Sequence, residues 1–318
     1  MLPPFAATPP GALDLTGDAA RRRRQLQRSA AAALERAGYQ ELIPPSFEYE
    51  DVFLRAGGPG VATRLVRFPD RDGRILSLRY DFTSSLARVA STTFAGAELP
   101  LRLSYAGQVF RQDPERGGRP RETLQVGAEL LGAAGLDADV EIVRLTLALV
   151  RETGLSDYQL NLGHAGVLAP GLATLDDPLR AEARRWIDRK DRAALTQALG
   201  REAGDARSLV TLPFVIGRRE ALEAALPEAP RGATAGLTHL LELDGALTPD
   251  ERSHVVYDLG EVRGLDYYTG VHFEVYVAGA GRAAGAGGRY DELMGRFGRP
   301  MPAVGFSLDL DTLAEVPA

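Results

Sequence analysis

The stretch RETLQVGAELL, residues 121–131, has the alternating polarity of a half-buried β-strand. Side chains of a strand point alternately to its two faces. The apolar residues at even positions from 124 to 130 therefore form a core face, while Gln125 and Glu129 share a polar face. Their backbones lie about 13 Å apart, because a strand rises about 3.3 Å per residue. That span suits a small polar ligand on the sheet, although a surface sheet with ordinary ion pairs has the same pattern.

A second strand is predicted at residues 101–111, and the polar loop DPERGGRP, residues 113–120, joins the two strands. If the strands pair through this loop, Arg111 and Arg121 stand close together. Like charges repel at short range, and a guanidinium suits bidentate binding of phosphate or carboxylate. The two arginines therefore indicate either a bound anion or carboxylates nearby.

Helical and strand patterns alternate along the rest of the chain. Thr83 is placed as the N-cap of one helix, because its hydroxyl can accept a backbone N–H. Residues 165–250 are rich in Ala, Leu, Arg and Glu, which predicts a small helical insertion. The other predicted elements are helices at 17–37, 138–153 and 290–297 and at the end of the chain, a hairpin at 64–79, and strands at 39–43, 254–259, 271–277 and 303–307. This order predicts an α+β fold in which helices flank a mainly antiparallel sheet.

The composition is that of an ordinary soluble protein, with 45% hydrophobic and 25% charged residues among 318. No apolar run approaches the roughly 20 residues of a bilayer span, and the first residues do not form a secretory signal, so we expect a cytoplasmic protein. There is no cysteine, and the four histidines lack metal-like spacing, so we expect no metal site. The net charge of −6 opposes a large RNA-binding surface.

Two further segments combine glycines with side chains that can contact a ligand. The loop 261–270 carries Tyr267 and Tyr268, whose rings offer flat walls with a hydroxyl, although loop packing explains them equally well. The stretch 279–290 is only superficially similar to a dinucleotide fingerprint, because no clear crossover helix follows. Its Gly287-Gly288 pair predicts close approach of the backbone to a ligand or to a neighbouring strand.

In their order, these segments resemble the class II core of the histidyl-tRNA synthetase family from about residue 10 to residue 313. The resemblance rests on GYQELIPPSFEYEDVF (38–53), RYDFT (79–83), RQDPERGGRPRETLQVGAE (111–129), VRGLDYYTG (262–270), AGGRYDEL (286–293) and MPAVGFSLDLDTL (301–313). In that family these are the dimer-interface segment, the element at the amino group, the ATP-binding strand-loop-strand, two histidine-specific segments, and the final strand and helix. The resemblance implies the class II synthetase fold.

The resemblance also implies a histidine pocket on the polar face of the sheet. Its residues would be Asp81, Thr83, Gln125 and Glu129 at the amino and imidazole groups, Tyr267, Tyr268 and Tyr290 along the side chain, Arg111 at the carboxylate or α-phosphate, and Arg263 at the position of the catalytic arginine. Arg111, Arg119 and Arg121 would be the remains of an ATP site. No catalytic residue and no cofactor are expected.

Departures from the synthetase pattern favour a regulatory chain over a ligase. Thr312 replaces the family arginine that holds the γ-phosphate, and loss of a charge-assisted phosphate contact damages adenylate formation. Asp81 is one methylene shorter than the usual glutamate, and no anticodon-binding domain is expected. RYDFTSSLAR (79–88) and NLGHAGVL (161–168) are more similar to the regulatory subunits of ATP phosphoribosyltransferase, which share the synthetase core.

The similarity to regulatory subunits of ATP phosphoribosyltransferase implies a set of partners. We expect a short catalytic subunit of ATP phosphoribosyltransferase, a homodimer within a hetero-octamer, histidine as the effector, and neither tRNA nor a membrane. Two alternatives stay open. A minimal histidine–tRNA ligase that forms histidyl-adenylate is favoured by Arg111, Arg263 and the pocket residues, and a synthetase-like protein with some other partner is the third possibility.

Overall fold

The computed structural model describes residues 7–112, 120–262 and 267–316. The strands of this part are β1 Gln40–Glu41, β2 Phe47–Tyr49, β3 Arg67–Pro69, β4 Ile75–Leu78, β5 Leu101–Phe110, β6 Glu122–Leu131, β7 Tyr158–His164, β8 Ile216–Gly217, β9 Val255–Asp258, β10 Val271–Val277, β11 Gly285–Arg289 and β12 Ala303–Asp309. The α-helices are α1 Gly17–Arg36, α2 Glu50–Gly57, α3 Phe82–Ser91, α4 Leu136–Glu152, α5 Ala165–Ala173, α6 Asp177–Asp188, α7 Arg192–Leu199, α8 Gly204–Ser208, α9 Arg219–Ala225, α10 Arg231–Ala246, α11 Pro249–Ser253, α12 Leu293–Arg296 and α13 Leu310–Glu315.

One large sheet organises the molecule. Its strand order is β1-β5-β6-β12-β11-β10-β7-β9-β8, while β2, β4 and β3 form a separate small sheet. Neighbours in the large sheet are antiparallel except for the pairs β1–β5 and β7–β9. With helices packed around this sheet, the predicted α+β fold with a mainly antiparallel sheet is confirmed.

One face of the large sheet forms the main core. The register pairs Val126 with Leu308 and Leu162 with Phe273, which sets their side chains on the same face. Buried side chains of α1, α4, α5 and α10 pack against this face. The alternation predicted for residues 121–131 is confirmed, because the even positions from 124 to 130 all lie in this core.

The opposite face carries a smaller apolar cluster and the polar side chains. Phe82 and Leu86 of α3 and Met294 of α12 pack there around Tyr105 of β5. Further along the same face, Gln125 lies beside Gly107 on one side and Asp309 on the other. The fold therefore separates a structural face of the sheet from a face that can hold a ligand.

The chain between β7 and β9 is mainly helical. The helices α5 to α10 lie within residues 165–246, and the short strand β8 among them pairs with β9 at the sheet edge. We refer to residues 165–246 as the helical segment. Its apolar side chains join the main core beneath the sheet. No helix within residues 7–112, 120–262 and 267–316 combines the length and hydropathy of a bilayer span.

Local sequence rules missed strand β2 and helix α2, and they also failed at α3 and β11. Asp81, not Thr83, is the N-cap of α3, since its carboxylate accepts the Ser84 N–H at 2.7 Å. The glycine-rich stretch after 279 contains strand β11, which the sequence analysis did not identify. Its glycines are required by packing, because a Cβ on Gly287 would lie 2.5 Å from the Phe273 ring. The predicted close approach of Gly287 to a neighbouring strand is thereby confirmed.

Candidate functional site

Glu129 is the centre of the candidate site. It lies on β6 with 1% of its surface exposed, on the face opposite the main core. Its Oε1 accepts the Thr83 hydroxyl at 2.7 Å, and its Oε2 accepts the Tyr290 hydroxyl. Gly305 on β12 stands directly beside it, and a Cβ there would lie 1.6 Å from Oε2. A side chain at position 305 would therefore displace the carboxylate.

The electrostatics of Glu129 are unusual for a carboxyl group. Burial raises its pKa to about 7, hydrogen bonds from Tyr290 and Thr83 partly offset this, and the nearby charge of Asp81 raises it further. Asp81 is half-buried, and burial raises its pKa too, partly offset by the Ser84 N–H. Two desolvated carboxyl groups close together favour a ligand that brings positive charge.

Tyrosine rings form a wall beside these carboxyl groups. The Tyr267 and Tyr290 rings stack with centroids 5.1 Å apart, and Tyr268 meets Tyr267 edge-on at 5.3 Å. On β5, Tyr105 stacks on Phe82 of α3 at 4.2 Å. Tyr105 was not among the predicted site residues, although its alternation with Gly107 and Val109 along the strand indicates that the three share one face. A flat apolar wall next to carboxylates suits a planar cationic ring.

A polar cleft of about 590 Å³ continues from Gln125 along the same face of the sheet. Gln125 is 8% exposed. Arg111 also lines the cleft, and its Nε donates to the Tyr80 carbonyl at 3.1 Å. Ser307 and Glu274 complete this part of the lining and were not predicted, although both occupy alternating polar positions on β12 and β10.

The predicted arginines are distributed unevenly around the site. The Arg111 N–H donates to the Arg121 carbonyl at 2.8 Å, so the predicted pairing of the two strands brings these residues together. The Arg121 side chain is exposed and does not line the cleft. Arg119 and Arg263 lie outside the described residues.

Asp309 and Glu274 bring two carboxylates of the chain itself into the lining of the cleft. Asp309 lines the cleft and caps α13, accepting the N–H groups of Asp311 at 3.1 Å and Thr312 at 3.0 Å. Asp311 pairs with Arg23 of α1 at 2.6 Å. Thr312 is completely buried and does not reach the cleft. The N-terminus of α13, where an anion could bind, therefore already holds an acidic side chain.

The mainly antiparallel sheet, with buried carboxyl groups and tyrosine rings on the face opposite the main core, is consistent with a domain of the class II aminoacyl-tRNA synthetase type. The family described as histidyl-tRNA synthetase matches residues 11–313. An ATP phosphoribosyltransferase regulatory subunit from Moorella thermoacetica is 40% identical over 96% of this chain and 80% of its own length. The chain belongs to the family of ATP phosphoribosyltransferase regulatory subunits, within the histidyl-tRNA synthetase group.

Solved structures agree with this assignment. A protein from Bacillus halodurans, described as an ATP phosphoribosyltransferase regulatory subunit/histidyl-tRNA synthetase, has a TM-score of 0.89 and 28% identity over 99% of this chain and 84% of its own. A histidine–tRNA ligase subunit from Alicyclobacillus acidocaldarius has a TM-score of 0.80 and 30% identity over 99% and 98%. Both comparisons extend over nearly the whole chain.

Proposed function

We propose that this chain is a non-catalytic regulatory subunit of ATP phosphoribosyltransferase that activates a short catalytic subunit and mediates feedback inhibition by free histidine. One observation carries the proposal. The part of the site around Glu129, which we call the amino-acid end, has carboxyl groups, hydroxyls and an aromatic wall. The part of the cleft around Asp309, which we call the nucleotide end, carries an acidic side chain that caps α13.

Histidine matches the amino-acid end group by group. Glu129 and Asp81 supply acceptors for an ammonium or imidazolium N–H, and the resulting hydrogen bonds are charge-assisted. The stacked rings of Tyr267 and Tyr290 offer an apolar surface to the imidazole. Arg111 lines the cleft together with Gln125 and would bind the ligand carboxylate through its guanidinium.

A triphosphate fits the other end of the cleft poorly. Asp309 and Glu274 line it together with Arg111 and Arg282, so the positive charge there is matched by negative charge. A triphosphate needs a surplus of cationic donors, as arginines provide in phosphoryl-binding sites. The uncharged, buried Thr312 adds none. We therefore propose that adenylate formation has been lost.

The partner surfaces are part of the same proposal. Exposed apolar side chains cluster on the small sheet and the loop before it, including Ile43 at 80% and Phe47 at 51% exposure. Exposed apolar patches of this kind mark protein interfaces. They support a homodimer through residues 38–53, and we propose that such dimers assemble with catalytic subunits into a hetero-octamer that does not bind tRNA.

Reconstitution with a short catalytic subunit tests the proposal. We expect formation of phosphoribosyl-ATP only when both chains are present, and inhibition by added histidine. Glu129→Gln should weaken histidine binding, measured by calorimetry, by about 10- to 100-fold, because hydrogen bonds to charged groups contribute about 1.5–3 kcal/mol. Glu98→Gln, at an exposed position, is the matched control. Full activity of the catalytic chain alone, unchanged by this subunit, would contradict activation.

The rival function is a minimal histidine–tRNA ligase. It is favoured by the similarity to the Alicyclobacillus acidocaldarius protein described as a ligase subunit. Histidine-dependent exchange of pyrophosphate into ATP separates the two functions, since it requires the adenylate. We expect no exchange above a reaction without protein, and a histidine-dependent signal would favour the ligase.

A further inference from the structure

A buried polar junction joins the helical segment to the sheet. Asp139 on α4 is 1% exposed, and its Oδ1 accepts the Arg289 Nε–H at 2.9 Å. Its Oδ2 lies 2.8 Å from Nε2 of His239 on α10. A carboxylate this deeply buried is stable only when it is paired. Asp139 therefore binds a sheet residue and a residue of the helical segment at the same time.

Arg289 is fixed on the core side of the sheet. It pairs with Val304 in the register and so shares the face of the main core. Besides Asp139, its guanidinium donates to the Gly135 carbonyl at 3.3 Å and to Asp291 at 3.1 Å. The next residue, Tyr290, emerges on the opposite side, where its hydroxyl reaches Glu129. A single peptide unit thus separates the junction from the pocket.

A second contact links Arg289 to the aromatic wall. Its carbonyl accepts the Thr269 N–H at 2.7 Å, and the Thr269 hydroxyl accepts the Asp291 N–H at 3.0 Å. Thr269 follows Tyr267 by two residues, and Tyr267 stacks on Tyr290. Both tyrosines of the wall are therefore tied to the backbone around Arg289.

A ligand at Glu129 would enter this arrangement. Each carboxylate oxygen accepts one hydroxyl donor, from Thr83 and Tyr290, and has room for a second donor. A cationic group that binds Oε2 of Glu129 would therefore share that oxygen with the Tyr290 hydroxyl. At the other end of these contacts, the His239 ring lies 5.3 Å from the His164 ring, and a Cβ on Gly236 of α10 would lie 2.9 Å from Nδ1 of His164. Close-packed elements of this kind move as units instead of absorbing small shifts.

We propose that Asp139 transmits occupancy of the pocket to α10 of the helical segment, through Arg289 on one side and His239 on the other. The inference rests on the proposed function in one respect, since the ligand sensed is histidine. Asp139, Arg289 and His239 act as positioning residues that do not touch the ligand. The pocket and α10 are then two sites coupled through one buried carboxylate. The conformation of α10 therefore changes when histidine binds in the pocket.

Hydrogen exchange with and without histidine tests this coupling in the full chain. We expect histidine to slow exchange of the α10 amides, residues 231–246, on the order of tenfold, within the usual range of coupling between sites. His239→Ala should abolish this change while leaving histidine binding by calorimetry within a few-fold, because Asp139 keeps Arg289. His239→Gln, which retains a donor for Asp139, should restore the change. Tyr257→Phe removes a different hydrogen bond to α10, at Asp244, and should leave the change intact.

A second experiment tests the coupling without any ligand. A double-mutant cycle of His239→Ala and Tyr290→Phe, measured by urea unfolding, should give non-additive free energies, whereas Tyr257→Phe with Tyr290→Phe should be additive. Histidine binding without altered α10 exchange, or additivity in the first cycle, would overturn the coupling and leave the proposed function standing. Absence of calorimetric histidine binding by the unmodified chain would instead remove the pocket from the proposed function.

Discussion

Glu129→Gln is expected to stabilise the chain at alkaline pH while it weakens histidine binding. The pKa of Glu129 in the folded chain is about 7 and its ordinary value is 4.5, a difference of about 2.5, and each unit corresponds to about 1.4 kcal/mol. The folded state therefore binds more protons than the unfolded state between these values, so the free energy of unfolding falls as pH rises from about 4.5 to 7. The loss totals about 3 kcal/mol and is complete above pH 8. Glutamine has the same shape without the charge, so the variant avoids this loss.

Urea unfolding at several pH values between 5 and 9, followed by the fluorescence of Trp186, measures the effect. The informative quantity is the difference between the free energies of unfolding of the variant and the unmodified chain, since other titrating groups cancel in it. We expect this difference to grow by about 2.5 kcal/mol in favour of the variant between pH 5 and pH 8. Glu98→Gln, at an exposed position, should show no such growth. Parallel profiles for Glu129→Gln and the unmodified chain would refute the reasoning about buried charge.

Three further changes test separate parts of the site. Gly305→Ala should destabilise the chain by about 1–3 kcal/mol and weaken histidine binding, because its Cβ would collide with Glu129; unchanged calorimetry would contradict the geometry. Asp81→Ala should cost about 1 kcal/mol in urea unfolding through the lost cap of α3, which Asp81→Asn retains; equal losses in both variants would contradict the capping role. Thr312→Arg alone should not create pyrophosphate exchange, because Asp309 still occupies the start of α13; a histidine-dependent signal would show that a single arginine suffices.

Regular alternation explains why the centre of the sheet could be predicted. The period of two in residues 121–131 placed Gln125 and Glu129 on the free face without any knowledge of neighbouring strands. The N-cap of α3 was assigned wrongly because Asp81 and Thr83 are both good caps, and only the tertiary contact of Thr83 with Glu129 decides between them. Local sequence rules cannot predict that the Thr83 side chain forms a hydrogen bond with a residue distant in sequence instead of capping the helix.

Contacts between distant positions account for what the sequence did not reveal. Arg289 and Asp139 are 150 positions apart, and neither has a neighbour in sequence that signals the pairing. Strand β11 was missed because glycines weaken every strand pattern, although packing against β10 and β12 makes those glycines necessary. Thr312 was recognised as a departure from the family pattern, but the Asp309 cap of α13 and its hydrogen bonds with Asp311 and Thr312 required coordinates.

The two halves of the site can evolve separately because they lie at different positions along the same pair of strands. On β12, Gly305 stands opposite Glu129 and Asp309 stands opposite Gln125, four residues further on. Glycine at position 305 leaves room for the Glu129 carboxylate of the proposed histidine pocket, whereas aspartate at position 309 adds negative charge to the cleft. Since roughly 13 Å of strand separates these positions, a substitution at one end leaves the other end unchanged. The proposed loss of adenylate chemistry, with retention of the proposed histidine pocket, would therefore be explained by changes at the end of β12 and in α13.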